Sequence, residues 1–371
     1  MVDSSAATPR GTEAADPREA LKRARRIVVK IGSKTLAADA TVYQRLAHDI
    51  HALHQKKRKV VLVSSGAIAL GIAKLGLRTR PKEMAWLQAA AAAGQSVLMR
   101  RYEEAFAEVG IPVAQVLLTH ADLADRARGN NARAALAALL EAGALPIINE
   151  NDTVAVEEIR FGDNDQLASM VVPLVDGDLL LLLSDVEGLL DGQQRRVPLV
   201  RDVDSEALPL AGKSVSGVGT GGMASKVEAA RKATRAGAHV VIADAREPGI
   251  VGAIAAGQDK GTLFVPHEKR LSARQHWIAY TLRPKGVLVL DPGAAEAIKR
   301  RNKSLLAIGV LGVRGTFAEG DAIALVDGTG APIGRGLARY SSSESSRLAG
   351  QKPAAPSEEI ILVHRTDLVV T

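Results

Sequence analysis

The sequence contains no cysteine, which excludes disulfides, thiolate metal sites and a cysteine nucleophile. Aromatic residues make up only 3% of its 371 positions, so a core has to be built from Ala, Leu, Val and Ile. That favours helices packed on a buried sheet over an aromatic-rich β-sandwich. No apolar run reaches membrane-spanning length; residues 179–183, all leucine, are a short buried strand. The N-terminal residues lack the continuous apolar stretch of a signal peptide, which predicts a cytoplasmic protein. What remains is the balance of a soluble globular chain, 47% hydrophobic and 24% charged. Its length calls for two domains. The net charge of +7 helps attract a polyanion, nucleotide or nucleic acid, and says nothing about fold.

Residues 1–24 mix Ser, Ala, Thr, Pro and charges without periodicity and are expected to form a loose tail. From Arg26 the pattern changes. Residues 27–29 read as a buried strand ending at Lys30-Ile31-Gly32-Ser33, and Val42, Leu46, Ile50 and Leu53 recur at helical spacing. Strands are predicted at 60–63, 113–118, 145–148, 179–183 and 239–243. Helices are predicted at 84–109 with a break around Gly94, and at 131–141, 166–175 and 227–235. Continuous apolar strands alternating with helices mean a mostly parallel sheet covered on both faces. After Pro266 the rhythm changes. Residues 267–283 read as a charged linker or short helix. Short strands at 287–290, 307–313, 322–326, 333–338 and 360–363, with a helix at 294–301, then suggest a small β-rich unit of roughly 85 residues. The expected division is 25–266, a linker at 267–283, and 284–371.

The densest polar chemistry is Asn149-Glu150-Asn151-Asp152, directly after the apolar strand, followed by Gly162-Asp163-Asn164-Asp165. Amides and carboxylates packed this closely at a strand end are expensive to hold unless they bind something. In open α/β sheets, ligands sit beyond the carboxyl ends of the strands. Lys30, with Gly32 and Ser33 behind it, is either a phosphate contact or a surface lysine before a turn. Ser64-Ser65-Gly66 is a second strand-to-helix turn; Ser65 either binds a carboxylate or simply caps the helix. Gly217, Gly219 and Gly222 match G-x-G-x-x-G, but the preceding strand that a dinucleotide site requires is missing. A glycine loop cradling phosphates, with Lys226 as an exposed lysine just beyond it, reads better. His48, His51 and His54 share a helix face beside Lys56, Lys57, Arg58 and Lys59, and are read as a solvated face, not metal ligands. Two lysines, a glycine loop and strand-end carboxylates, without a histidine or cysteine nucleophile, suit phosphoryl transfer, which needs charge stabilisation and positioning. A carboxylate acceptor, with a pKa near ~4.3, is ionised at neutral pH and needs no general base.

These segments, together with Leu117-Leu118-Thr119, Asn131-Ala132-Arg133 and Gly219-Thr220-Gly221-Gly222-Met223, occur in the order found in the glutamate 5-kinases of the amino-acid kinase family, which the chain resembles from about residue 26 onward. Leu290-Asp291-Pro292-Gly293-Ala294 and Gly334-Arg335-Gly336 are similar to the PUA domain carried by many bacterial members. The resemblance implies a three-layer αβα sandwich plus a small β-rich PUA-like domain. It implies ATP-dependent phosphorylation of the γ-carboxylate of L-glutamate, the first step of proline synthesis, with Mg²⁺ but no dedicated protein metal ligands. Carried over, Lys30 and Lys226 contact the transferring phosphoryl group and Asp165 holds both. Gly32, Ser33, Ser184, Asp185, Thr220, Gly221, Gly222, Met223, Ala224 and Ser225 join Lys30 and Lys226 around ATP. Ser65, Gly66, Asn149, Asp152, Asp163 and Asn164 surround glutamate. It further implies feedback inhibition by proline, a homo-oligomer (dimer or tetramer) and glutamate-5-semialdehyde dehydrogenase as a partner. Ser33-Lys34 stands where the family more often has two small hydroxyl residues, and the stretch 189–194 is shorter than its usual nucleotide-side loop.

Two alternatives stand beside this reading. One is a sibling kinase acting on N-acetylglutamate or aspartate. The other is RNA binding through the C-terminal domain, where eleven Lys and Arg face nine Asp and Glu from residue 285 onward. The aromatics there are Phe317 and Tyr340 alone, which is no stacking platform for a single strand.

Overall fold

The computed structural model describes residues 16–154, 164–212, 222–352 and 359–370. Eight strands form the larger sheet: β1 (Arg26–Ile31), β2 (Lys59–Val63), β3 (Val113–Leu118), β4 (Leu145–Glu150), β5 (Leu179–Ser184), β6 (Leu199–Val200), β7 (His239–Asp244) and β8 (Thr262–Phe264). Their order is β3-β4-β2-β1-β5-β7-β8-β6. All pairs are parallel except β7 with β8. The helices are α1 (Ser33–Ala38), α2 (Val42–Gln55), α3 (Ala67–Lys74), α4 (Met84–Ala107), α5 (His120–Ala124), α6 (Arg126–Glu141), α7 (Asn164–Leu174), α8 (Met223–Arg235) and α9 (Ile250–Ala255).

The central strands β1, β5 and β7 are apolar along most of their length, and the period of two divides those residues between two cores. Ile27, Val29, Ile31, Leu179, Leu181 and Leu183 join one core with α2, α4 and α9. Val28, Leu180, Leu182, Val240 and Ile242 join the other with α7 and α8. The same alternation decides where Lys30 points. It shares a face with Val28, and so emerges on the side covered by α7 and α8. The chain runs from β1 to β2 on one side and returns to β5 on the other, so β1 borders the point where strand order reverses. Ligand crevices form at that point.

Two expectations about local structure need correction. Of the expected loose tail, residues 17–23 form a short 3-10 helix, Pro17–Arg23, whose Leu21 is fully buried and whose Arg18 donates to the Lys260 and Pro198 carbonyls. Helix α4 runs unbroken through Gly94, which is buried against α3. A Cβ there would lie 1.7 Å from the Ala67 carbonyl oxygen, and one on Gly71 would lie 1.7 Å from that of Ala90. The two glycines let α3 and α4 touch backbone to backbone; Gly94 serves close approach and does not break the helix. Of the two readings of 267–283, a charged linker or a short helix, the helix is present, packed as a joint between the two units. That helix, Ala273–His276, continues into a wide turn, Trp277–Thr281. His276, Ile278 and Ala279 are buried there. Trp277 Nε1–H donates to the Leu123 carbonyl at 3.0 Å on one side, and Arg335 donates to the Ala279 carbonyl at 2.8 Å on the other.

The C-terminal unit has its own core, including Leu288, Leu290, Ile298, Ile323, Leu325, Ile333 and Leu362. A five-stranded sheet pairs β9 (Gly286–Leu290), β11 (Val310–Gly315), β12 (Ala322–Asp327), β13 (Pro332–Leu337) and β15 (Leu368–Val370). The two-residue β10 (Leu305–Leu306) pairs with β14 (Ile361–Val363). The strand Leu368–Val370 and the helix Ser342–Leu348 were not expected: the first is three residues long, and the second is a run of serines with poor helix propensity, started by a Ser341–Glu344 capping box. Among the described residues no helix is long and apolar enough to cross a membrane.

Candidate active site

Because β1, β2, β4 and β5 are parallel, their carboxyl ends open onto one rim, and each ends in polar residues: Lys30, Ser64, Asn149-Glu150 and Ser184-Asp185. Three helices that leave this rim, α1, α3 and α8, start at glycines (Gly32, Gly66 and Gly222) with no side chain capping their first amides. Gly66 adopts φ 101°, which a side chain would oppose. First-turn amides left without side-chain acceptors suit an anionic ligand.

The centre of the rim is a charge triad. Asp165, fully buried in the first turn of α7, lies 2.6 Å from Lys30 Nζ through Oδ1 and 3.1 Å from Lys226 Nζ through Oδ2. Lys30 and Lys226 are themselves 6% and 4% exposed. Burial pushes the Asp165 carboxyl up, but the charges of Lys30 and then Lys226 outweigh it and hold its pKa below the usual carboxylate range. The cluster sets two cationic side chains against one carboxylate in a place almost closed to solvent. Two ammonium groups held side by side by one carboxylate are suited to receive the oxygens of a phosphoryl group. Lys226 is thus not the exposed lysine expected from the glycine loop. It sits on α8, whose inner face is buried, and stays there because Asp165 partners it.

Beside the triad lies an amide network. Asn164 Nδ2 donates to Asn149 Oδ1 at 2.8 Å and to the Ser64 carbonyl, and Asn149 Nδ2 donates to Gln95 Oε1 at 2.9 Å. The Ser64 hydroxyl meets the buried Tyr102 hydroxyl at 2.8 Å. Ser65 and Gly66 line a cavity with Ser33, Tyr43 and Arg101. Asp152 is half-buried in the turn just beyond β4. On the other side of the triad, Ser184 Oγ donates to Asp185 Oδ1 at 3.0 Å. Burial raises the Asp185 carboxyl, but the Ser184 bond, a backbone amide and the charges of Lys34 and Lys226 bring it below its ordinary value. Met223, Ala224 and Ser225 form the first turn of α8. Asp163, Thr220 and Gly221 lie outside the described residues.

Gln95 escaped the reading of the sequence. It is 8% exposed, and its Nε2 has no hydrogen-bond partner among the described residues. The one signal was a polar side chain inside an alanine-rich helix, next to the glycine that seats α4 on α3. Of the three histidines on α2, His48 is exposed and His51 and His54 are half-buried, so that face is solvated only in part.

Comparison with known proteins follows the same division. The amino acid kinase family matches residues 25–244, and the PUA domain matches residues 286–360. The chain is 46% identical over 370 residues to a glutamate 5-kinase of Pelobacter propionicus, covering 95% of this chain and 99% of that protein. It is 48% identical over 373 residues to a glutamate 5-kinase of Myxococcus xanthus, covering 95% and 98%. Among solved structures, N-acetylglutamate synthase from Neisseria gonorrhoeae, complexed with coenzyme A and L-arginine, aligns with a TM-score of 0.50 at 17% identity. That alignment covers 68% of this chain and 64% of that one, a likeness of fold alone.

Proposed function

The chain belongs to the glutamate 5-kinases of the amino acid kinase family, and from that premise we propose that it transfers the γ-phosphoryl group of ATP to the γ-carboxylate of L-glutamate. The observation that carries the reading is the Lys30–Asp165–Lys226 triad, a buried anion receptor open at the carboxyl rim of the sheet. A glutamate γ-carboxylate, with a pKa near ~4.3, arrives ionised. Its oxygen attacks the γ-phosphorus while the bond to the ADP oxygen breaks, giving ADP and glutamyl 5-phosphate, with no proton to remove. Lys30 and Lys226 stabilise the equatorial phosphoryl oxygens and Asp165 keeps the ammonium groups in place. Ser184, Asp185, Gly32, Ser33 and the 220–225 segment hold the nucleotide. Ser65, Gly66, Asn149, Asp152, Asp163 and Asn164 hold glutamate, with Asn149 and Asn164 oriented by Gln95 and Ser64.

Mg²⁺ takes one or two carboxylates plus phosphate oxygens and water. The residues here fit that habit: Asp185 is an ionised carboxylate, half-exposed, beside the lysines, and it would face an ion carried in with the nucleotide. Bound there, the ion supplies neutralisation of phosphate charge.

The test is release of ADP from Mg·ATP with L-glutamate, N-acetylglutamate and L-aspartate offered separately. Turnover dependent on L-glutamate is expected; preference for either other acceptor overturns the assignment. The same reading makes the protein a homo-oligomer inhibited by proline, supplying its product to glutamate-5-semialdehyde dehydrogenase in proline synthesis. Proline added to the assay should suppress turnover.

A further inference from the structure

Gln166 belongs to none of the motifs above. It follows Asp165 on α7, half-buried, and reaches across to α8. Its Nε2–H donates to the Ser225 carbonyl at 3.1 Å and lies 3.5 Å from Ser225 Oγ. Its Oε1 accepts from Lys232 Nζ at 2.5 Å. Ser225 is the residue before Lys226. The two helices are therefore joined twice at adjacent positions, by the Asp165–Lys226 ion pair and by the Gln166–Ser225 bond. A primary amide suits the second tie, because it presents a donor and an acceptor at one end. Lys232 takes the acceptor and so turns the donor toward Ser225. The Lys232 carbonyl in turn accepts from His276 Nε2 at 3.0 Å, which fixes the far end of α8 to the joint between the domains.

The ion pair cannot set the geometry alone. A lysine ammonium is a point charge on a flexible stem with three rotatable donors, and it follows its carboxylate over a range of backbone positions. What places Lys226 for transfer is where the first turn of α8 sits. We propose that Gln166 is a positioning residue: its amide, oriented by Lys232, holds that turn against α7 so that Lys226 and Asp165 meet as phosphoryl transfer requires. The kinetic consequence rests on the kinase reading; the structural consequence does not.

Three variants of the full-length protein test this. Gln166→Glu keeps the size and the Lys232 partner but turns an oxygen toward the Ser225 carbonyl. Gln166→Met removes both bonds at similar volume, and Lys232→Met removes the anchor alone. Displacement by about an ångström costs up to ~100-fold in rate, so kcat is expected to fall about tenfold or more in both Gln166 variants, with KM for L-glutamate within about twofold. Lys232→Met should fall in the same direction by less. A crystal structure of Gln166→Met should show the Lys226 Nζ to Asp165 Oδ2 distance lengthened from 3.1 Å. An unchanged distance together with an unchanged kcat overturns the proposal. So does a lowered Tm with kcat unchanged, which marks packing alone. Should Gln166→Glu not fold, the two methionine variants decide. Should the unaltered protein show no glutamate-dependent ADP release, the kinase reading falls, and the crystallographic distance alone still judges the tie.

Discussion

The two units of this chain treat polar groups in opposite ways. In the larger one, Lys30, Ser64, Asn149, Glu150, Asn164, Asp165, Ser184 and Lys226 are all buried, and all lie at the carboxyl rim of one sheet or the helix turns above it. In the C-terminal unit the described residues bury one polar side chain, Ser345, while the core is wholly aliphatic apart from Phe317. Burying a charge costs several kcal/mol per ion, and a partner recovers that only with good geometry. The larger unit gathers Lys30, Glu150, Asp165 and Lys226 at this rim, with Arg18 buried apart from them in the short helix Pro17–Arg23. The described residues of the neighbouring unit bury no charge; the rim is where the fold bears this cost together.

The sharpest way to break the comparison is to remove the centre of the triad. Asp165→Ala leaves Lys30 and Lys226 buried without their shared partner. Turnover should drop by at least ~1,000-fold, and stability by about 3–5 kcal/mol, read together by ADP release and chemical denaturation. An Asp165→Ala protein of normal stability would mean that the two ammonium groups find water, and that the rim is wetter than their burial implies. Lys226→Met should lose about 100- to 1,000-fold in kcat at a smaller loss of stability, because Asp165 keeps Lys30 at 2.6 Å. Normal turnover in that variant would take Lys226 out of the mechanism.

The sheet and the two-unit organisation were legible because the central strands hold apolar runs bounded by turn residues, and because the polar runs at 149–152 and 162–165 interrupt that pattern at its ends. What was not legible depends on contacts distant in sequence. Gly94 reads locally as a helix breaker, yet its missing Cβ is what admits the Ala67 carbonyl. Lys226 reads locally as the exposed end of a glycine loop, and nothing within its own helix discloses its burial; the family resemblance alone named its partner Asp165, 61 residues earlier. Gln166 carries no local signal, and Gln95 only that of an amide inside an alanine-rich helix, since their value lies in Ser225 and Asn149, on other elements. The 267–283 stretch left linker and short helix open because its apolar residues, Leu271, Trp277, Ile278 and Leu282, follow no single period, and their packing is settled by Leu337 and Val369, far off in sequence.

The joint between the two units adds a pH dependence. His276 is 1% exposed, and burial lowers its pKa from 6.5 to about 4, against the pull of the Lys232 carbonyl. The unfolded chain binds a proton here that the folded chain refuses, so stability rises with pH between about 4 and 6.5. The contribution is complete above that window and is lost progressively as the solution is acidified through it. At ~1.4 kcal/mol per unit, the whole shift amounts to about 3 kcal/mol. His276→Leu should flatten the acid limb of a denaturation profile measured from pH 4 to 7. A limb of unchanged slope would place the acid sensitivity elsewhere.

The smallest effect is expected where the comparison says little is at stake. Ser345 is 2% exposed, and its hydroxyl reaches the Tyr340 carbonyl at 3.5 Å, the outer limit of a hydrogen bond. The Tyr340 carbonyl is an acceptor with a second lone pair, and the helix beside it is already capped by Ser341 and Glu344. Ser345→Ala removes a weak bond and leaves a methyl group in an aliphatic setting, so stability should move by no more than about 1 kcal/mol, with kcat and KM unchanged. A loss of several kcal/mol would show that the C-terminal unit also depends on a buried polar tie, and that the contrast between the two units is one of number and not of kind.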